Sequence, residues 1–112
     1  MAKYETNLTG SFDEILNTIE SEIMRGSISA SREDGSDWQS GGVRCAVRVF
    51  ERYSMIVSNR VSLNVTLVYG GDRVFLSAIT SGGSQAVFFK INTFGEHAFL
   101  DCIIRAVKKY AL

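Results

Sequence analysis

Two segments of alternating apolar and polar residues, joined by a pair of glycines, constrain this fold more than any other feature. Every second residue between 61 and 69 is apolar, which is typical of a strand with one buried face. Residues 73–80 repeat the pattern, and Gly70-Gly71 predicts a two-residue hairpin turn between the two strands. A shorter alternation over 3–8 predicts another strand. The chain is therefore expected to contain an antiparallel sheet.

Two other segments have the period of amphipathic helices. A capping box at 11–14 precedes a predicted helix over 12–25, in which apolar residues recur at helical spacing. Gly26 lies where a left-handed C-cap residue is common. A second capping box at 93–96 precedes the last predicted helix, over 94–110.

The segments between these elements are interpreted from composition. Residues 28–32 are predicted to form a strand, and the Asp-Gly segment over 33–37 predicts a turn, with Trp38 in the same loop. Gly41-Gly42 predicts a second break in the chain, and residues 81–84, with sequence SGGS, predict a further one. The apolar run over 85–91 is predicted to be a further strand.

The stretch GVRCAVRVFERY, over 42–53, fits the spacing of a helix and that of a strand. Its valines and the preceding Gly-Gly favour a strand. On a strand, Arg44, Arg48 and Arg52 point the same way, and neighbours in this row stand about 13 Å apart. No single carboxylate can bridge two of them, so each arginine needs its own partner or water.

The predicted order of elements is β-α-β(4-5)-α, within a single domain over 1–112. Two amphipathic helices beside one sheet favour an α+β fold, with one curved antiparallel sheet and both helices packed on one face. This topology resembles the TBP-like and helix-grip folds, and topology alone implies no function.

Three segments carry a resemblance to a known family. The run SAITSGGSQAVFFKINTFGEHAFLD over 77–101, with RVFERYS over 48–54 and NRVSLNVTL over 59–67, resembles a small bacterial family of unknown function. Members are about 110 residues long and are associated with Firmicutes, so the resemblance spans nearly the whole chain. It implies a stand-alone bacterial protein and assigns no activity or catalytic residue.

Composition excludes several classes of function. Twelve basic and twelve acidic residues cancel, so no overall charge attracts nucleic acid or an anionic membrane. No apolar run is long enough for a membrane helix, and the N-terminus lacks a signal-peptide pattern, which predicts a cytoplasmic protein. The single histidine, His97, has no metal-ligand set and no nucleophile near it in sequence. We therefore expect no enzyme activity, metal or cofactor.

The leading prediction is a binding module that associates with an unknown protein partner or with itself as a homodimer. If the helices cover the Val/Leu face of the sheet, the arginine row lies on the other face, beside aromatic residues. Arginine mixed with aromatic residues is typical of protein interfaces, although a solvated face has the same composition. The candidate interface residues are Arg44, Arg48, Phe50, Arg52, Arg73 and Phe75.

The alternative prediction is a carrier of a small apolar ligand. In helix-grip folds the last helix can stand off the sheet and leave a cavity. A filled core is the competing interpretation, because an empty cavity costs stability. The residues that could line such a cavity are Phe88, Phe89, Phe94, Phe99 and Ile103.

Overall fold

The computed structural model describes residues 1–54, 59–82 and 89–112; for residues 54, 59 and 89–96 only the backbone is described. The elements, in chain order, are β1 (Ala2–Leu8), α1 (Phe12–Arg25), β2 (Ser31–Ser40), β3 (Val43–Ser54), β4 (Asn59–Gly70), β5 (Arg73–Gly82), α2 (Phe89–Val107) and a 3₁₀ turn (Lys108–Tyr110).

The described strands form one antiparallel sheet in the order β1-β5-β4-β3-β2. Strands β2 to β5 are consecutive hairpins, whereas β1 pairs with β5 at the far edge. The observed order of elements, β-α-β4-α, confirms the α+β prediction.

Both helices pack on one face of the sheet. Alternate residues of β3, β4 and β5 point toward the helices and are buried with the apolar stripes of α1 and α2 in one core. The fully buried strand residues of this core are Phe50, Val61, Leu63, Val65, Leu67, Val74, Leu76 and Ala78. The other face of the sheet is not covered by a described helix.

Helix α1 begins and ends close to the predicted residues. The Ser11 side chain accepts a hydrogen bond from the Glu14 N–H at 3.3 Å, as the capping box predicts. Gly26 ends the helix with φ at −77°, so the prediction of a left-handed C-cap is wrong. Its N–H donates to the Glu22 carbonyl at 3.0 Å, which continues the helical pattern.

Strand β2 differs most from the prediction. Residues 33–37 were expected to turn, but they lie in β2, and Trp38 lies in the same strand. A bulge between Arg32 and Asp34 shifts the register by one residue. The turn comes later, at Gly41-Gly42, where φ is 55° and 86°. Backbone pairing with β3 outweighs the low strand propensity of Asp and Gly in this segment.

The β4–β5 hairpin turns one residue later than predicted. Gly70 is the last residue of β4 and pairs with Arg73, so the turn consists of Gly71 and Asp72. Gly71 has φ at 65°, a conformation that favours glycine.

Helix α2 begins earlier than predicted. It starts at Phe89, so the predicted strand over 85–91 is wrong at 89–91, and 85–88 lie outside the described residues. Thr93 is inside the helix and is not its N-cap. A short apolar run does not distinguish a strand from a helix by periodicity, which explains the error. Of the predicted break over 81–84, the first two residues belong to β5 and the others lie outside the described residues.

Candidate functional site

The three arginines of β3 lie on the face of the sheet that the helices cover. Arg44, Arg48 and Arg52 are opposite Tyr69, Val65 and Val61 of β4 in the pairing register. Because directly opposite residues share a face, the arginines point toward the core side of the sheet. The prediction that this row lies on the open face is therefore wrong.

Arg44 connects β3 to the first turn of α1. Its two terminal nitrogens donate to the two carboxylate oxygens of Asp13 at 3.1 and 2.9 Å. Its guanidinium carbon lies 4.4 Å from the centre of the Phe12 ring. The hydrogen bond from Arg44 is the largest cause that lowers the pKa of Asp13; partial burial opposes it, and the positive charge adds to it.

Arg48 is the most buried of the three, with 8% of its side chain exposed. Nε donates to Glu20 of α1 and Nη2 to Asp37 of β2, both at 3.0 Å. Nη1 donates to the carbonyls of Val47 at 2.9 Å and Ser36 at 3.3 Å. Burial acts to lower the pKa of Arg48, but the bonds to Asp37 and Glu20 outweigh it and the pKa is raised. This cation therefore holds α1, β2 and β3 together.

Arg52 connects β3 to α2. Its guanidinium carbon lies 4.5 Å from the centre of the buried Phe99 ring, and Nη1 is 3.9 Å from the Cys102 sulfur. Arg105 also approaches that sulfur at 3.9 Å. Each arginine of the row thus has its own partner in a helix, and the row joins the sheet to both helices.

The predicted interface residues therefore divide between the two faces of the sheet. Phe50 and the three arginines are on the covered face, and Phe50 is fully buried in the core. Arg73 and Phe75 alternate with buried residues of β5, so they are on the uncovered face. The six residues do not form one surface.

The residues of the predicted ligand cavity are only partly described. Phe99 and Ile103 are fully buried and belong to the core. Phe88 lies outside the described residues, and for Phe89 and Phe94 only the helix backbone is described. The carrier hypothesis stays a prediction.

Sequence reasoning identified only part of the uncovered face: Arg73 and Phe75 were assigned to it correctly, whereas the wrong side of β3 was assigned to it. Its centre, on β3, β4 and β5, consists of nine residues without charge. Phe75 and Ile79 on β5 are 37% and 38% exposed, and Trp38 on the edge strand β2 is 60% exposed. The nine central residues are Cys45, Val47, Val49, Asn64, Thr66, Val68, Phe75, Ser77 and Ile79.

Charged residues of both signs surround this centre. The cations of the face are Lys3, Arg60 and Arg73, and its anions are Glu5, Asp34, Glu51 and the bulge residue Glu33, whose carboxylate accepts a hydrogen bond from Ser31 on this face. Lys3 lies 3.9 Å from Glu5, and Arg60 donates to Glu51 at 2.7 Å. The face therefore combines an uncharged centre with a rim that carries charges of both signs.

The two cysteines lie on opposite sides of the sheet. Cys45 is half-buried on the uncovered face, opposite Trp38, whereas Cys102 is a buried residue of α2, on the covered side. Both thiols are free. In the described part of the chain, no three His, Cys, Asp or Glu side chains are grouped to hold a metal ion. His97 is exposed on α2.

An open groove between α1 and the end of α2 has a volume of about 470 Å³. Thr18, Glu22, Arg105, Lys108 and Lys109 line it, together with Ala106. Cations at the end of α2 are favourable beside the negative pole of the helix dipole, which accounts for their position without a ligand.

Comparison with known proteins places this chain in a family. Residues 1–111 match the family described as a family of unknown function, DUF6054. The chain belongs to this family. No curated protein matches the DUF6054 chain.

Chr148 is among the solved structures that match this DUF6054 protein. The solution structure of Chr148 from Cytophaga hutchinsonii, a structural genomics target, has 11% sequence identity and a TM-score of 0.40. The match covers 96% of this chain and 91% of Chr148. No helix in the described parts of the DUF6054 protein is long and apolar enough to span a bilayer.

Proposed function

We propose that this protein is a non-enzymatic self-association module, and that a second copy of the chain binds its uncovered sheet face. The observation that supports this proposal is the arrangement of that face, with nine uncharged residues at its centre and charges around them. Depletion of charge at the centre and a polar rim are typical of protein interfaces.

The size of the face is suitable for a dimer. Five strands about 4.8 Å apart and about ten residues long, at about 3.3 Å per residue, give a flat area of about 800 Å². A standard protein interface buries about 800 Å² on each partner. This area includes one large aromatic residue of β2, Trp38, and tryptophan is common among residues that dominate binding energy.

The charge of the face favours a second copy over a charged partner. Its three cations and four anions leave one negative charge, so two identical faces repel each other only weakly. A strongly basic or acidic partner would gain little from a nearly neutral face. We further propose that the protein acts in the cytoplasm, with both thiols reduced.

The experiment compares oligomeric mass by native mass spectrometry and sedimentation velocity. The wild type is expected to be a dimer and Thr66→Arg a monomer, because the new charge lies at the centre of the interface. The matched control is Ser21→Arg, on the exposed side of α1, which is expected to remain a dimer. A monomeric wild type, or a Thr66→Arg protein that dimerises normally, contradicts the proposal.

The same spectra test the alternative carrier prediction. A monomer that retains an adduct of a few hundred daltons would favour the carrier over self-association. A positive result in a broad hydrolase screen would contradict the non-enzymatic part of the proposal.

A further inference from the structure

We infer that the two copies pack face to face across a two-fold axis that runs along the strands. In this arrangement β1 of one copy lies over β2 of the partner, and Lys3 pairs with the partner's Asp34. The inference rests on the proposed self-association and adds its geometry.

The pairing registers define rows of residues that cross the uncovered face from β1 to β2. Each row contains one residue from each strand, and its members are direct cross-strand neighbours. The three central rows are Lys3–Ile79–Asn64–Val49–Asp34, Glu5–Ser77–Thr66–Val47–Ser36 and Asn7–Phe75–Val68–Cys45–Trp38.

A two-fold axis along the central strand, β4, exchanges the two ends of every row. The cation Lys3 then lies over the partner's Asp34, and symmetry repeats this pair at the opposite edge. Ile79 lies over the partner's Val49, so apolar side chains pack together. Sheets that pack face to face keep their strands within about 30° of each other, so a flexible lysine can still reach the carboxylate.

A two-fold axis across the strands gives a less favourable arrangement. It places each strand over the same strand of the partner and reverses the direction of that strand. Residues of the middle row then lie over their own copies in the partner. Glu5 is in that row, so it would lie over the partner's Glu5. The axis along the strands also brings one pair of like charges together, because Arg60 is on β4 and lies over the partner's Arg60. Only that axis adds the two Lys3–Asp34 pairs, and these opposite charges select it.

The two charges of the inferred pair are available to a partner. Within the described residues, Asp34 has no ion pair, and its carboxylate accepts only the N–H of Gly35 at 2.8 Å. Lys3 has a long contact with Glu5 at 3.9 Å, and both of these side chains are exposed. Neither charge has to break a strong bond within its own chain.

Charge reversal tests this pair by sedimentation equilibrium of the full chain. Lys3→Glu and Asp34→Lys are each expected to weaken the dimer by about fivefold or more, because each creates two like-charge contacts per dimer. The double variant restores opposite charges and net charge, and its dissociation constant is expected within about twofold of the wild type. The control Asp101→Lys changes charge equally on the exposed side of α2 and is expected to have no effect.

The outcomes separate this inference from the proposed function. If the wild type is a monomer, self-association itself fails and the geometry fails with it. If the wild type dimerises and Thr66→Arg dissociates it, but the double reversal does not restore affinity, only the inferred axis is wrong. A dimer tightened by Glu5→Gln would also overturn it, because that result indicates Glu5 against the partner's Glu5. Circular dichroism of each variant checks that the sheet is intact.

Discussion

The Arg48 guanidinium donates from Nε to Glu20 at 3.0 Å, which connects the middle of β3 to the middle of α1. Arg32 of β2 lies 3.7 Å from the same carboxylate, and Asp37 accepts from Arg48 on the other side. A buried cation with carboxylate partners on two elements fixes how α1 lies across the β2–β3 end of the sheet.

We expect Arg48→Met to lower the free energy of unfolding by about 2 kcal/mol. Methionine keeps part of the buried volume but leaves Glu20 and Asp37 without this cation, and breaking a buried ion pair from one side is strongly destabilising. This loss of stability is smaller than that usual for a broken buried ion pair, because Asp37 is largely exposed and Glu20 still has an ion pair with Arg32. Urea unfolding at fixed protein concentration measures the change.

The control is Arg25→Met, which removes an exposed ion pair to Glu22 on α1. Exposed pairs contribute about 0–1 kcal/mol, so this variant should unfold close to the wild type. If the free energy of unfolding falls equally in the two variants, the prediction that the buried Arg48 ion pairs stabilise the fold more than an exposed pair is wrong.

Gly35→Ala is expected to destabilise the protein by about 1–2 kcal/mol through overpacking. A Cβ at Gly35 would lie 3.1 Å from Cδ of Arg48 and 3.2 Å from the Val47 carbonyl oxygen. The end of Arg32, at 2.7 Å, can move aside, but Arg48 is held by its four hydrogen bonds.

Gly70→Ala is the matched control for this substitution. A Cβ at Gly70 has no atom within 4 Å and the backbone there is not left-handed, so alanine should be neutral or slightly stabilising. Thermal unfolding of the two variants measures the difference. The packing argument fails if alanine is tolerated equally well at both positions.

The ion pair between Arg44 and Asp13 is expected to make stability depend on pH on the acid side. The pKa of Asp13 is lowered in the folded protein, first by the hydrogen bond from Arg44. A carboxylate with a lowered folded pKa stabilises the fold above its unfolded pKa of about 4, and this contribution is lost as the pH falls through the folded pKa.

The measurement is an NMR titration of the Asp13 carboxyl group in the wild type and in Arg44→Gln. We expect the pKa of Asp13 to rise toward its ordinary value in the variant. At high salt the pKa values of Asp13 in the wild type and in the variant should differ less, because salt screens the charge of Arg44. An unchanged pKa in Arg44→Gln would contradict the assigned cause.

Some of the fold could be predicted from local sequence. The alternation over 61–69 places Val61, Leu63 and Val65 on one buried face, and the capping box at Ser11 locates the start of α1. Both signals act over a few residues, and both were confirmed. Strand β2 could not be found in this way, because its Asp and Gly residues have low strand propensity and its pairing partner lies on the far side of a turn.

The β3 side of the candidate surface was assigned wrongly for a different reason. Alternation correctly grouped Arg44, Arg48 and Arg52 on one side of β3. It could not say whether that side matched the Val/Leu side of β4 or the opposite one. A slip of one residue in pairing exchanges the two faces, so the position of each side chain depends on register.

The sequence by itself determined which segments alternate, where α1 begins, and which side chains share one side of each strand. The tertiary structure decided which side faces the helices, because only pairing between strands and packing of α1 and α2 orient those sides. In that orientation each arginine of β3 contacts a group on a helix. The same orientation leaves the uncharged centre on the opposite face, around Thr66.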